Sequence, residues 1–163
     1  MEHLFSPWRF DYVTRQDEEE GCTLCRVAAS PPERDDSVFI LHRACHNFVV
    51  LNIYPYTTGH LMVVPFAHLA ALGDLSGEAR VEMLELAAHA ESVLGQVYRP
   101  DGINLGINLG RCAGAGIVEH LHLHVVPRWY GDTSFMTVTA GARVMPEDLA
   151  GTWRKLRGRF GSD

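Results

Sequence analysis

The 163-residue sequence has no apolar run approaching the roughly 18 residues that a membrane helix requires. Its first residues also lack the basic stretch and apolar block of an export signal, so the expected location is the cytoplasm. Cysteine is scarce: Cys22, Cys25, Cys45 and Cys112 are too few to staple a chain of this length, and a reducing compartment keeps them as thiols. Positive charge is in short supply as well. Against 20 aspartates and glutamates stand 14 lysines and arginines, and the net charge of -6 repels a nucleic-acid backbone. A small phosphorylated ligand needs only a local positive field. Low-complexity sequence is absent, and the echo Asn104-Leu105-Gly106 and Asn108-Leu109-Gly110 is too brief to be a structural repeat.

What is present suits one domain over residues 1–163, since 47% of the chain is hydrophobic and can fill a core. Residues 1–20, with Pro7-Trp8-Arg9 and an acidic run at 17–20, read as an N-terminal arm. Three short runs, Val38-Phe39-Ile40-Leu41, Phe48-Val49-Val50-Leu51 and Leu61-Met62-Val63-Val64, are separated by turn-forming residues and read as antiparallel strands. From Ser76 the period changes to that of a helix, with Met83, Ala87, Ala90, Leu94 and Val97 on one face, Ser76 as cap and Pro100 beyond the end. Strands are expected again at 103–107 and 119–126, and a terminal helix near Pro146 with Leu149, Trp153 and Leu156 facing inward. Strands, helix, strands, helix without regular β-α-β alternation imply an α+β domain built on an antiparallel sheet.

The chemistry concentrates in His120-Leu121-His122-Leu123-His124-Val125-Val126. In a strand the side-chain period is two, so the three imidazoles share one face while Leu121, Leu123 and Val125 share the other. Imidazole is nucleophilic and titrates near neutrality, so such a row serves phosphoryl or acyl chemistry, pH sensing or metal binding. Just upstream, Gly110-Arg111-Cys112-Ala113-Gly114-Ala115-Gly116 can bring backbone N–H groups against phosphate oxygens. Cys22 and Cys25 have the spacing of a redox pair or of half a metal site; without a β-α-β pattern beside them, half a zinc site is the better reading.

H-L-H-L-H-V-V resembles the signature of the histidine triad (HIT) superfamily of nucleotide hydrolases and transferases. The resemblance extends through Cys22-Thr23-Leu24-Cys25, Leu51-Asn52 and Gly59-His60-Leu61-Met62-Val63-Val64-Pro65 with His68 after it. Asn52-Ile53-Tyr54-Pro55-Tyr56, residues 104–108 and Pro127-Arg128-Trp129 look most like the short bacterial diadenosine tetraphosphate phosphorylase branch. The resemblance implies a sheet of about five strands with one long helix and a C-terminal helix. It further implies His122 as nucleophile, with His124, His60 and His120 completing the catalytic histidines. Asn52 is implied at the ribose, Asn108 and the loop residues Gly114, Ala115 and Gly116 at the phosphates, and Trp129 near the base. Cys22, Cys25, His68 and His120 are implied as ligands of a structural zinc, no organic cofactor is called for, and a homodimer is expected. One departure stands out: many relatives carry a serine near Gly116, where this chain has Ala115-Gly116-Ile117.

The implied reaction is nucleotidyl transfer from an adenine dinucleoside polyphosphate through a nucleotidyl-histidine, with inorganic phosphate or water as acceptor. Two alternatives remain, a nucleoside phosphoramidate hydrolase of the same superfamily and a non-catalytic nucleotide-binding protein.

Overall fold

Alternating apolar residues build the sheet and decide its two faces. The computed structural model describes residues 21–133 and 145–160; the arm expected over 1–20 lies outside the described residues. Strands β1 (Ile40–Arg43), β2 (Asn47–Leu51), β3 (Leu61–Pro65), β4 (Gly102–Ile107) and β5 (Leu123–Arg128) form one sheet in the order β1-β2-β3-β5-β4, each neighbouring pair antiparallel. The fold is α+β. On one face Leu41, Val49, Leu51, Leu61, Val63, Leu123 and Val125 pack against the helices. On the other, Ile40, Phe48, Val50, Met62 and Val64 close over Leu24.

Helix α2 (Gly77–Tyr98) covers the first face. Ser76 caps it as expected, its hydroxyl accepting from the Ala79 amide at 3.1 Å, and Met83, Ala87, Ala90 and Leu94 are buried beneath it. The helix stops at Arg99, whose φ of 48° is left-handed and turns the chain toward Pro100. Helix α3 (Leu149–Phe160) starts three residues later than Pro146, because Asp148 caps it: its Oδ1 accepts from the Gly151 amide at 2.6 Å. Leu156 and Phe160 join the core. Trp153 Nε1 and Arg157 Nη1 donate to the carbonyls of Ile40 and Leu41, both at 2.9 Å, so α3 is tied to edge strand β1.

Three expectations are corrected. The first strand begins at Ile40 rather than Val38, because the left-handed φ of 60° at Phe39 breaks the extended run, although its carbonyl still accepts from the Leu51 amide at 3.1 Å. The segment 119–126 enters the ladder only at Leu123, where pairing with Val63 of β3 begins. His120 and His122 therefore precede the ladder, in a segment held by the Leu121 amide donating to Leu69 O at 2.7 Å. A short helix, α1 (Thr23–Ala29), was not foreseen at all. It packs Leu24 on the second face, and Arg43 anchors its end by donating to Ala28 O and Ser30 O at 2.9 Å while pairing with the buried Asp35 at 2.8 Å.

Candidate active site

Three histidines meet on the second face of the sheet, His124 within β5 and His60 and His122 one residue before the adjacent central strands β3 and β5. Met62 lies opposite His124 across the β3–β5 pair, and His60, two residues before Met62, emerges on the same side. Gly59 makes that placement possible. Its φ is 79°, and a Cβ there would lie 3.1 Å from Leu94 Cδ2 and 3.3 Å from the Tyr98 ring, so only glycine lets the loop seat against α2.

Hydrogen bonding assigns the tautomers one after another. The Tyr56 amide donates to His60 Nδ1 at 3.0 Å, so that nitrogen carries no proton and Nε2 does. His60 Nε2 then donates to His124 Nδ1, also at 3.0 Å, which leaves the proton of a neutral His124 on its Nε2. His122 is set independently. Its Nδ1 is 2.8 Å from the carbonyl of His120, which can only accept, so His122 bears its proton at Nδ1 and a lone pair at Nε2. Burial lowers the affinity of His122 for a proton, against the opposing pull of that carbonyl, which favours the neutral ring. The Tyr56 ring stacks 5.8 Å from His124 and 4.6 Å from His60, walling the pair.

His120 turns elsewhere. Its Nδ1 lies 3.3 Å from Cys22 Sγ and 3.5 Å from Cys25 Sγ, and Cys25 Sγ is 3.2 Å from His68 Nδ1. All four ligand atoms fall within 4.8 Å of one another. A tetrahedral zinc with bonds of about 2.3 Å to sulfur and 2.0 Å to nitrogen sets neighbouring S and N atoms about 3.5 Å apart, so these residues fit the metal. His120 Nε2 donates to Pro65 O at 2.9 Å, the outer hydrogen bond that keeps Nδ1 free for a cation. The Cys25 thiol is pushed up by burial and next by its neighbour Cys22, a cost that a cation between them would remove.

A family model of the HIT domain matches residues 32–130. The chain belongs to the histidine triad family. This HIT protein is 37% identical over 161 residues to the AP-4-A phosphorylase of Mycobacterium tuberculosis, a match covering 96% of this chain and 83% of the relative. It is 33% identical over 82 residues to the bis(5'-adenosyl)-triphosphatase of Dictyostelium discoideum, covering 50% and 54% of the two chains. Among solved structures it is similar to a Zn-bound histidine triad family protein from Mycobacterium smegmatis, with a TM-score of 0.68 and 29% identity over 86% of this chain and 93% of that one. It is a HIT-type enzyme.

The remaining candidate residues of this HIT enzyme fall around the cluster with two corrections. His120 is not among the clustered imidazoles: its ring faces the thiols, and only its carbonyl reaches His122. In the glycine loop, the amides of Gly114 and Ala115 bond to Arg111 O at 2.9 Å and Gly110 O at 3.3 Å, so these two shape the loop rather than offering donors to a phosphate. Gly116 lies just outside that set. Asn108 Nδ2 reaches Gly114 O at 3.5 Å. Asn52 is buried beside the cluster, its Oδ1 accepting from the Tyr54 amide at 2.9 Å and its Nδ2 3.5 Å from His60 Nδ1. Trp129, half-buried, begins the turn after β5, which Arg128 braces by donating to Asp132 at 2.6 Å and to Asn104 at 3.0 Å. Tyr56 escaped the sequence reading because it acts through a backbone amide, for which its side chain gives no signal.

The buried imidazoles make stability depend on pH. Burial, and after it the rings of His124 and His122, push His60 from its ordinary value near 6.5 down to about 3. An unfolded chain takes up a proton there below 6.5 while the folded one does not, so the stabilisation is complete above pH 6.5 and is lost as pH falls toward 3. In urea titrations between pH 6.5 and 4, His60→Asn should flatten the fall in unfolding free energy by up to about 1.4 kcal/mol per pH unit relative to wild type. Equal slopes in the two proteins would contradict the assignment.

Proposed function

We propose that this protein cleaves diadenosine tetraphosphate by nucleotidyl transfer through His122, with inorganic phosphate as acceptor. The observation that carries the reading is the neutral His122 ring, its Nδ1–H held on the His120 carbonyl and Nε2 left with a lone pair. In the first half-reaction the Nε2–P bond forms as the bond from the α-phosphorus to the bridging oxygen breaks, and ATP leaves. In the second, a phosphate oxygen attacks the same phosphorus, Nε2–P breaks, and ADP is released; water in its place would give AMP. His124, with its proton on Nε2, donates to the phosphoryl or bridging oxygen as charge develops, and Gly116 N–H adds a second donor. Gly116 itself brings no hydroxyl to the leaving group, so His124 carries that task alone. Asn52 binds the ribose, Ile53 and Tyr54 beside it offer exposed apolar surface to the base, and Asn108 completes the contacts to this first nucleotide. The 37% identity with an AP-4-A phosphorylase supports this substrate class.

Cys22, Cys25, His68 and His120 would hold one structural zinc. Bound by four protein ligands, the ion would have no open position for water and would cross-link α1 to the segment that carries the nucleophile. The protein works as a cytoplasmic homodimer in this reading; among the described residues no helix is long and apolar enough to cross a membrane. Among the described residues edge strand β4 has no neighbour on its outer side, and Leu105 (48% exposed), Ile103 and Ala88 line a groove there, with exposed Leu84 (62%) one helical turn before Ala88 on α2, a surface that a symmetric partner would cover.

Purified enzyme given diadenosine tetraphosphate should yield ADP and ATP only with phosphate present, and rapid acid quench should trap labelled nucleotide on wild type but not on His122→Ala. Wild-type turnover by His122→Ala would overturn the mechanism, AMP without a phosphate requirement would make it a hydrolase, faster cleavage of a nucleoside phosphoramidate would favour that class, and binding without any covalent species would leave only a nucleotide-binding protein. Elemental analysis should find about one zinc per chain in wild type and little in Cys25→Ser, which should also melt at lower temperature; metal-free wild type of unchanged stability would refute the zinc assignment. Sedimentation should give twice the chain mass, and Leu84→Glu should shift it toward monomer. A wild-type monomer would end the dimer proposal.

A further inference from the structure

A dinucleoside substrate carries two bases, and the surface beside Asn52 accounts for one. A second concave surface lies past the end of β5: a cleft of about 480 Å³, within the range of small-molecule sites, lined chiefly by Thr57, Thr58, Tyr98, Trp129, Tyr130 and Pro146. It shares a wall with the catalytic loop. Thr57 accepts from the His60 amide through its carbonyl at 3.1 Å and donates its hydroxyl to Pro127 O at 2.8 Å, so the cleft and the histidine cluster are built on one turn. Trp129 follows His124 by five residues along an extended run, about 17 Å of chain, a span a polyphosphate bridge can track.

The chemistry of the lining selects the ligand. Its charged groups are already engaged: Glu147 accepts from the Tyr98 hydroxyl at 2.5 Å, from Thr152 at 3.2 Å and from Lys155, while Asp132 is paired with Arg128. Burial alone would raise the Glu147 carboxyl, but the hydrogen bonds from Lys155, Tyr98 and Thr152 outweigh it and hold the group ionised and satisfied. The cleft therefore suits an uncharged occupant. At its lip Tyr130 is 94% exposed, an aromatic ring with little of its surface covered, and its backbone is fixed by donation to Asp101 at 2.8 Å. Thr58 is one of the lining residues, and its hydroxyl oxygen is buried without a hydrogen-bond partner among the described residues. Stacking aromatics with one buried hydroxyl match a flat heterocycle bearing ring nitrogens.

We infer that this cleft is the subsite for the second nucleobase of the dinucleoside polyphosphate, with Tyr130 and Trp129 stacking on the ring and Thr58 hydrogen-bonding its edge. The inference rests on the dinucleoside reading above and deepens it. The test compares diadenosine tetraphosphate with adenosine 5'-tetraphosphate, which presents the same first half and no second nucleoside. Tyr130→Ala should lower the ratio of kcat/KM for the two substrates, dinucleoside over mononucleoside, by about 5- to 30-fold, the loss falling on KM. Thr58→Val should lower the same ratio while leaving the melting temperature unchanged or raised, because the hydroxyl it removes has no partner to lose. A ratio unchanged in both variants would overturn the subsite even if the enzyme cleaves diadenosine tetraphosphate well. A separate arm needs no turnover: adenosine should quench fluorescence that is missing from Trp129→Phe, with at least about fivefold weaker affinity in Tyr130→Ala. Quenching of that kind in a protein that cleaves neither substrate would support the base site and defeat the dinucleoside reading.

Discussion

One hydrogen bond, from His122 Nδ1 to the carbonyl of His120, organises the site. It fixes which nitrogen of His122 is basic, and it does so from a residue whose own ring faces the thiols of Cys22 and Cys25 at the start of α1. Side chain and backbone of His120 thus serve two different centres. Arg43, by gripping the end of α1 and the buried Asp35, holds the thiol-bearing helix against the sheet. A displacement of α1 would be transmitted first to the His120 ring and then, through its carbonyl, to the orientation of the ring two residues on.

The second organising constraint is desolvation. His60 and His122 both have their proton affinity lowered by burial before any other influence, which favours neutral rings at these two positions of the cluster. Neutral imidazoles cannot neutralise a phosphate chain; they can direct N–H groups and lone pairs at it. This agrees with a protein whose overall charge is -6 and whose ligand must be held by oriented dipoles. Tyr56 matters here because its amide decides the direction of every proton in the His60–His124 pair.

Much of this could be read from residue order. The cap, apolar stripe and Pro100 delimited α2 closely. The period of two put His120, His122 and His124 on one face, but the His120 ring turns to the thiols, and His60 entered the cluster through family likeness. What escaped had physical reasons. Helix α1 is only seven residues long, below the length at which periodicity speaks. The late start of β5 depends on where its partner β3 offers a free edge, a non-local fact. The amides of Gly114 and Ala115 were misassigned because a glycine-rich stretch announces freedom of the backbone but not where its N–H groups point. The cluster of Cys22, Cys25, His68 and His120 was named through family likeness, since residues 43 and 98 positions apart along the chain carry no local sign of proximity.

The strand order β1-β2-β3-β5-β4 puts the two histidine-bearing strands side by side, with β2 and β4 outside them. Backbone amides at sheet margins open to solvent most readily, whereas those of interior ladders exchange only when larger units come apart. The His124 ring is consequently mounted within an interior strand, and His60 and His122 sit one residue before β3 and β5, so fraying at β1 or a new neighbour at β4 can come and go at a distance from them.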